Sequence, residues 1–279
     1  DITDVADFEA FNDGVCGGFI IKRRFSNSEI IQKIIMYADS DRIDFETKVD
    51  WHENNMVLKT LFPLNIFSNK AVYDIQFGNL ERPTHSNTSW DQAKFEVCAH
   101  KWADISDYNH GLSLMNNCKY GYSARENVLS LTLLKAANFP NPEADRGINT
   151  FTYSILPHSG DFREGGTIKE AYLLNNPLRS RRAEKNSGTL PGTYSPICCN
   201  CDNIVIDTIK KAEDNDDIII RAYEAYNCCT NAQFTFGFDI KKAYICDMLE
   251  NTESELKVKD NKLMAPFSNY EVVTLRIKL

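Results

Sequence analysis

Asp145-Arg146-Gly147 is the segment of this chain best suited to chemistry. It follows the Pro-rich run Phe139-Pro-Asn-Pro142 and precedes an apolar stretch, so Arg146 falls on a loop carried by a rigid element, a common place for binding residues. A guanidinium offers up to five donors in a fixed planar fork. Gly147 permits a tight backbone and leaves space beside the fork. The same residues also allow a structural arginine, pinning its loop to Asp145 or Glu143.

Other candidate groups give weaker signals. His52, His85, His100, His110 and His158 never form H-x-x-x-H or H-x-H, so no metal site is predicted within this chain. His158, between Pro157 and Ser-Gly-Asp, is expected to fix a loop by hydrogen bonding. Cys198, Cys199, Cys201, Cys228 and Cys229 cluster, but CC-x-C and an adjacent CC lack the C-x2-C spacing of structural zinc. In a strand Cys199 and Cys201 share a face while Cys198 points away, which reads as free thiols serving as small strand residues. Trp51, Trp90 and Trp102 have polar neighbours and could stack on sugars; as large apolar groups in a β protein they are assigned to the core. There is no G-x-S-x-G elbow, phosphate-binding glycine loop or cysteine-protease signature. Carboxylates abound, yet spacing along strands does not tell which meet across sheets, so no acid/base pair is assigned.

Composition narrows the function classes. The 279 residues carry a net charge of −8, which gives no basic field for a phosphate backbone, and Arg179-Ser-Arg181-Arg182 is too short to supply one. No apolar run approaches the roughly 18 residues that cross a bilayer, and the opening DITDVADFEAF reads as neither n-region nor h-region of a signal peptide. Neither nucleic acid nor a membrane is an expected partner.

The elements that must hold Arg146 read mostly as strands. Gly18–Phe25, the alternating Ile43, Phe45, Thr47 and Val49, Val57–Pro63, Ala71–Phe77, Leu112–Met115, Val128–Leu134 and Phe151–Leu156 are rich in β-branched and aromatic residues. Glu29–Tyr37 fits a strand or a short helix. Asn116–Asn127 reads as a turn-rich connection in which Gly121 can adopt positive φ, and Pro157 as the end of a strand. Thr167-Ile-Lys-Glu170 has the form of a capping box opening one short helix that stops before Pro177. Residues 179–196 read as an exposed loop. Ile204–Ile209 and Ile218–Tyr226 flank an acidic tip as a hairpin, Gln233–Phe238 alternates, and Glu271–Ile277 makes a last strand. The predicted class is all-β and mainly antiparallel: a large β-sandwich over 1–163, a helix and loop over 164–196, and a small β-sandwich over 197–279.

Several blocks carry a resemblance: IDFETKVDWHE from Ile43, FGNLERPTHSNTSWDQAKFEV from Phe77, LTLLK, EADRG, and FTYSILPH ending at His158. In this order and approximate spacing they resemble the carboxyl-terminal β region of the class II α-mannosidases, glycoside hydrolase family 38, of the cytosolic type. The blocks span more than a third of the chain, with weaker similarity from about Asp7 to the end. The resemblance implies a supersandwich-like first sandwich whose first strands lie upstream of Asp1. It also implies that Arg146 and Asp145 face a mannoside. The nucleophilic aspartate and a divalent metal, zinc or cobalt, would belong to an amino-terminal catalytic domain outside this chain, with no catalytic or metal-binding residue on the chain itself. The implied partners are that domain and a mannose-containing oligosaccharide, and the implied location is cytoplasmic. The residues alone leave open a free-standing carbohydrate-binding module, a mutarotase-like enzyme with its own His and Glu, and a purely structural domain.

Overall fold

The computed structural model describes residues 1–3, 5–185 and 187–279; Asn186, within the loop expected over 179–196, lies outside the described residues. The chain folds as two compact units. One comprises Asp1–Ile75 with Leu80–Arg179, and the other Gln76–Asn79 with Ser180–Leu279.

In the first unit, alternation between apolar and polar residues gives the strand Ser40–Trp51 one buried face, with Val49 and Trp51 inward. The strands β1 (Val5–Asn12), β2 (Cys16–Phe25), β3 (Ser28–Tyr37) and β4 (Ser40–Trp51) form a meander, followed by β5 (Leu58–Pro63), β6 (Lys70–Ile75) and β7 (Gly78–Pro83). A five-residue helix α1 (Ser89–Ala93) precedes β8 (Val97–Cys98), β9 (Trp102–Ser106), β10 (His110–Asn116), β11 (Gly121–Arg125) and β12 (Val128–Leu134). The long β13 (Gly147–Ser159) and the helix α2 (Thr167–Asn175) complete the unit. A nine-stranded sheet runs β1-β2-β3-β4-β13-β10-β9-β6-β7, and a four-stranded one β5-β12-β11-β8. Val49 and Trp51 of β4, Ile105 of β9, Leu114 of β10, Tyr122 of β11 and Leu129 and Leu131 of β12 share one core with almost no solvent exposure. A side chain of this size buried fully contributes about 1.5–3 kcal/mol.

The second unit has its own core. Its strands are β14 (Ile197–Cys199), β15 (Ile204–Lys211), β16 (Ile218–Glu224), β17 (Thr230–Phe236), β18 (Lys242–Cys246), β19 (Thr252–Leu256), β20 (Val258–Lys259), β21 (Lys262–Phe267) and β22 (Val272–Lys278). They form sheets β14-β17-β21-β20 and β15-β16-β22-β18-β19 around Ile220, Phe234, Phe267, Leu275 and Ile277. Glu224 ends β16 with no solvent exposure. Its two oxygens accept the amides of Tyr226, Asn227, Cys228 and Tyr270 and the Asn203 side chain, at 2.7–3.1 Å. Burial pushes this carboxyl up, but those donors outweigh it and hold the group below the ordinary glutamate range.

The mainly antiparallel β architecture agrees with the alternation, and Glu29–Tyr37 is strand, not helix. Several local expectations fail for identifiable reasons. Gly121 does not take positive φ; it begins β11 opposite Cys98, and the positive φ falls at Glu126 (54°) in the following turn. Pro157 does not end β13. The β4 ladder stops at Ile155, so Pro157 lies where only β10 pairs, an edge-like position that a residue lacking N–H tolerates. Thr167 is not a cap: the N-cap is Gly166 (φ 66°), with no side-chain cap bond. The Glu170 amide bonds the Gly166 carbonyl, so Thr167 lies inside the first turn and its hydroxyl meets Ser113, 2.6 Å away. The side chain that does cap is Thr88, accepting the Asp91 amide at the start of α1, a helix the strand-biased reading passed over.

Candidate functional site

Arg146 reaches its position through strand register. The loop over 135–146 joins β12 to β13, and β13 enters the sheet with Gly147 opposite Trp51, the last residue of β4. The residues just after β4 are thereby set beside the loop. Asp145 (φ 62°) accepts the amides of Lys135 (2.8 Å) and Ala136 (3.0 Å) on Oδ2, which closes the loop at its base. The Asn149 side chain donates to the Asp145 carbonyl at 2.7 Å. Partial burial raises the Asp145 carboxyl, yet those two amides and nearby Lys119 win, leaving it below the usual aspartate range. Gly147 at φ 84° turns the chain directly into β13.

The Arg146 guanidinium is exposed. Its Nε and Nη2 both donate to Asn54 Oδ1, the first at 3.1 Å. It pairs with neither Asp145 nor Glu143; only its backbone amide meets the Glu143 carbonyl, at 3.2 Å. Its remaining donors have no partner among the described residues. Asn54, missed by sequence reasoning, lies 92 residues away in sequence, and no motif marks it. Nearby, His52 Nε2 lies 2.9 Å from Asp50 Oδ1 at half-exposed positions. The arrangement is a planar donor fork, anchored on one edge and open on the other, above a rigid sheet. It can orient hydroxyl or carboxylate oxygens.

His158 does not fix a loop. It belongs to β13, with Nε2 2.7 Å from Asp104 Oδ2 across the intervening β10, and both side chains are buried. Ser113 donates to the same Asp104 oxygen at 2.8 Å. Burial pulls the imidazole down, but the hydrogen bond and charge of Asp104 more than reverse this, so His158 stays protonated above the ordinary histidine range. The group resembles a catalytic constellation in composition only, because Ser113 is wholly buried and no substrate can reach it.

The tryptophans divide. Trp51 and Trp102 are core residues, Trp102 stacked on Phe162 at 5.0 Å. Trp90 is 79% exposed, correcting its assignment to the core: α1 is one turn long and buries none of its side chains. All nine cysteines are free thiols; Cys199 and Cys201 pack toward the second core while Cys198 is exposed. Among the described residues no group of three His, Cys, Asp or Glu side chains is arranged to hold a metal ion. No helix there is long and apolar enough to cross a membrane.

Residues 15–143 match the glycosyl hydrolases family 38 C-terminal domain, and residues 203–275 the family 38 C-terminal beta sandwich domain. The chain belongs to family 38. Alpha-mannosidase 2C1 of Mus musculus is 41% identical over 91% of the chain, and that of Homo sapiens 39% over the same share. Alpha-mannosidase G of Dictyostelium discoideum is 40% identical over 90% of it. The family 38 segment spans about a quarter of the length of these relatives, 25% of the first two and 23% of the third. In fold it superposes on a crystal structure of an alpha-mannosidase from Enterococcus faecalis with a TM-score of 0.84, at 17% identity, covering 99% of this chain and 35% of that one.

Proposed function

We propose that this segment is the carboxyl-terminal β wall of a retaining α-mannosidase that hydrolyses α-mannosidic bonds of oligomannosides. Arg146 donates hydrogen bonds to the bound sugar. Asp145 holds the loop that presents it and keeps Oδ1 for a sugar hydroxyl. The observation that carries this reading is the exposed guanidinium, anchored by Asn54 with donors to spare. Similarity to proteins named alpha-mannosidase supplies the substrate class. The catalytic carboxylates, and a zinc or cobalt ion gripping sugar hydroxyls, belong to the protein outside this segment, whose catalytic domain is the segment's partner. The proposed location is the cytoplasm.

The test is Arg146→Ala in the full-length enzyme. The lost charge-assisted bond should be worth about 1.5–3 kcal/mol, a drop of roughly ten- to hundred-fold in kcat/KM at an unchanged melting temperature. Normal activity with a lowered melting temperature would show that the arginine serves only its loop.

A further inference from the structure

We propose a second carbohydrate site at the far end of β13 from Arg146, in a cleft bounded by Phe67, Asn69, Asp107 and Tyr108, that takes a neutral pyranose of a mannose-containing chain. The class of sugar rests on the reading given above.

Distance separates the two sites. Arg146 precedes the first residue of β13, and Asp161, on the wall of the cleft, follows its last by two residues. At about 3.3 Å per residue the thirteen-residue strand holds these ends roughly 40 Å apart. One sugar ring cannot touch both.

The cleft consists of two adjoining cavities of ≈ 450 Å³ and ≈ 630 Å³ that share Phe67, Ser68, Asn69 and Asp107. Each has the size of a small-molecule site, and a run of two or more sugars could pass from one into the other. Phe67 and Tyr108 stand at its edge almost wholly in solvent, 93% and 103% exposed. Large aromatic groups normally bury their faces, so two such rings beside polar walls provide apolar platforms for the C–H face of a pyranose. Between them, Asp107 Oδ1 is fixed by the amides of Asn109 (2.8 Å) and His110 (3.1 Å), while Oδ2 has no partner among the described residues. Those amides hold the carboxyl ionised, below the usual range, and ready to accept two hydroxyls. The Asn69 amide is likewise without a side-chain partner among the described residues.

Charge argues for a neutral ligand. The nearby cations are already engaged, Lys70 with Glu81 at 2.6 Å and Arg163 with Asp161 at 2.5 Å. No unbalanced positive charge remains to draw a phosphate, and the free carboxylate oxygen of Asp107 would repel one.

The test is calorimetric titration of the full-length enzyme with a thio-linked α-mannobiose. Two classes of site are expected. Tyr108→Ala should weaken one class at least ten-fold, Asp107→Asn should do the same, and Tyr108→Phe, which keeps the ring, should restore it. Arg146→Ala should act only on the other class. A single class that ignores Tyr108→Ala and Asp107→Asn overturns the second site and leaves the role of Arg146 standing; loss of the Tyr108 class with no response to Arg146→Ala does the reverse. If Phe67→Ala and Tyr108→Ala lower the melting temperature by several degrees without changing binding, the rings pack against the rest of the enzyme and the proposal fails.

Discussion

Arg146 depends on one neighbour for its aim. Because Nε and Nη2 converge on Asn54 Oδ1, Asn54→Ala should leave the charge in place and release its direction. The expected loss in kcat/KM is about three- to ten-fold, smaller than for Arg146→Ala, and Arg146→Lys should recover little because an ammonium lacks the planar fork. Steady-state kinetics of the three variants in the full-length enzyme would rank them; equal losses for Asn54→Ala and Arg146→Ala would mean that aim matters as much as charge. The loop itself was legible, since Asp145, Arg146 and Gly147 announce a tight turn with a donor. Asn54 was not, because its approach follows from the pairing of Gly147 with Trp51, which no local pattern encodes. Glu224 poses a separate question of residue chemistry. Its folded pKa is depressed, so its stabilisation is present above the unfolded value of about 4.3 and disappears as pH falls through the folded one. Glu224→Gln should cost about 1.5–3 kcal/mol at neutral pH and flatten the acid limb, the two stability curves converging at low pH in denaturant titrations.

At the scale of elements, α2 is tied to the sheet by a buried polar chain, not by a cap of its own. Thr167, Ser113, Asp104 and His158 link α2, β10, β9 and β13 in turn. Gly111 and Gly165 press on the imidazole so closely that a methyl group at either would collide with it. Thr167→Val should therefore cost about 0.5–1.5 kcal/mol by removing the bond to Ser113, which keeps its bond to Asp104, where a surface threonine would cost almost nothing. The histidine adds a pH signature of opposite sign to that of Glu224. Its folded pKa is raised, so its contribution is complete below the unfolded value of about 6.5 and is lost as pH climbs through the folded one. Asp104→Asn should remove that alkaline decline, as stability measured across the range would show. The strands were readable because β-branched residues alternate. The role of Thr167 was not, because capping boxes are recognised by local spacing, and here the helix starts one residue earlier, the Glu170 amide bonding the Gly166 carbonyl.

At the scale of the whole molecule, the segment should bind sugar without turning it over. Purified alone, with zinc or cobalt added, it should not hydrolyse an aryl α-mannoside; metal-dependent release of the aryl group would refute the assignment of catalysis to protein outside it. Molecular scale is also where sequence reasoning reached furthest, since strand-like alternation and the family blocks both pointed to a β protein. It was blind to sheet order, which joins strands remote in the chain. That order has a consequence in time. Ile43 of β4 pairs with Ile155 of β13, so on a ribosome β4 waits for more than a hundred further residues before its neighbour exists. At ~5–20 residues per second the wait is on the order of 5–20 seconds. Throughout it the nascent meander shows an unpaired edge at the middle of what will become a nine-stranded sheet, a template for any passing strand and a natural station for a chaperone.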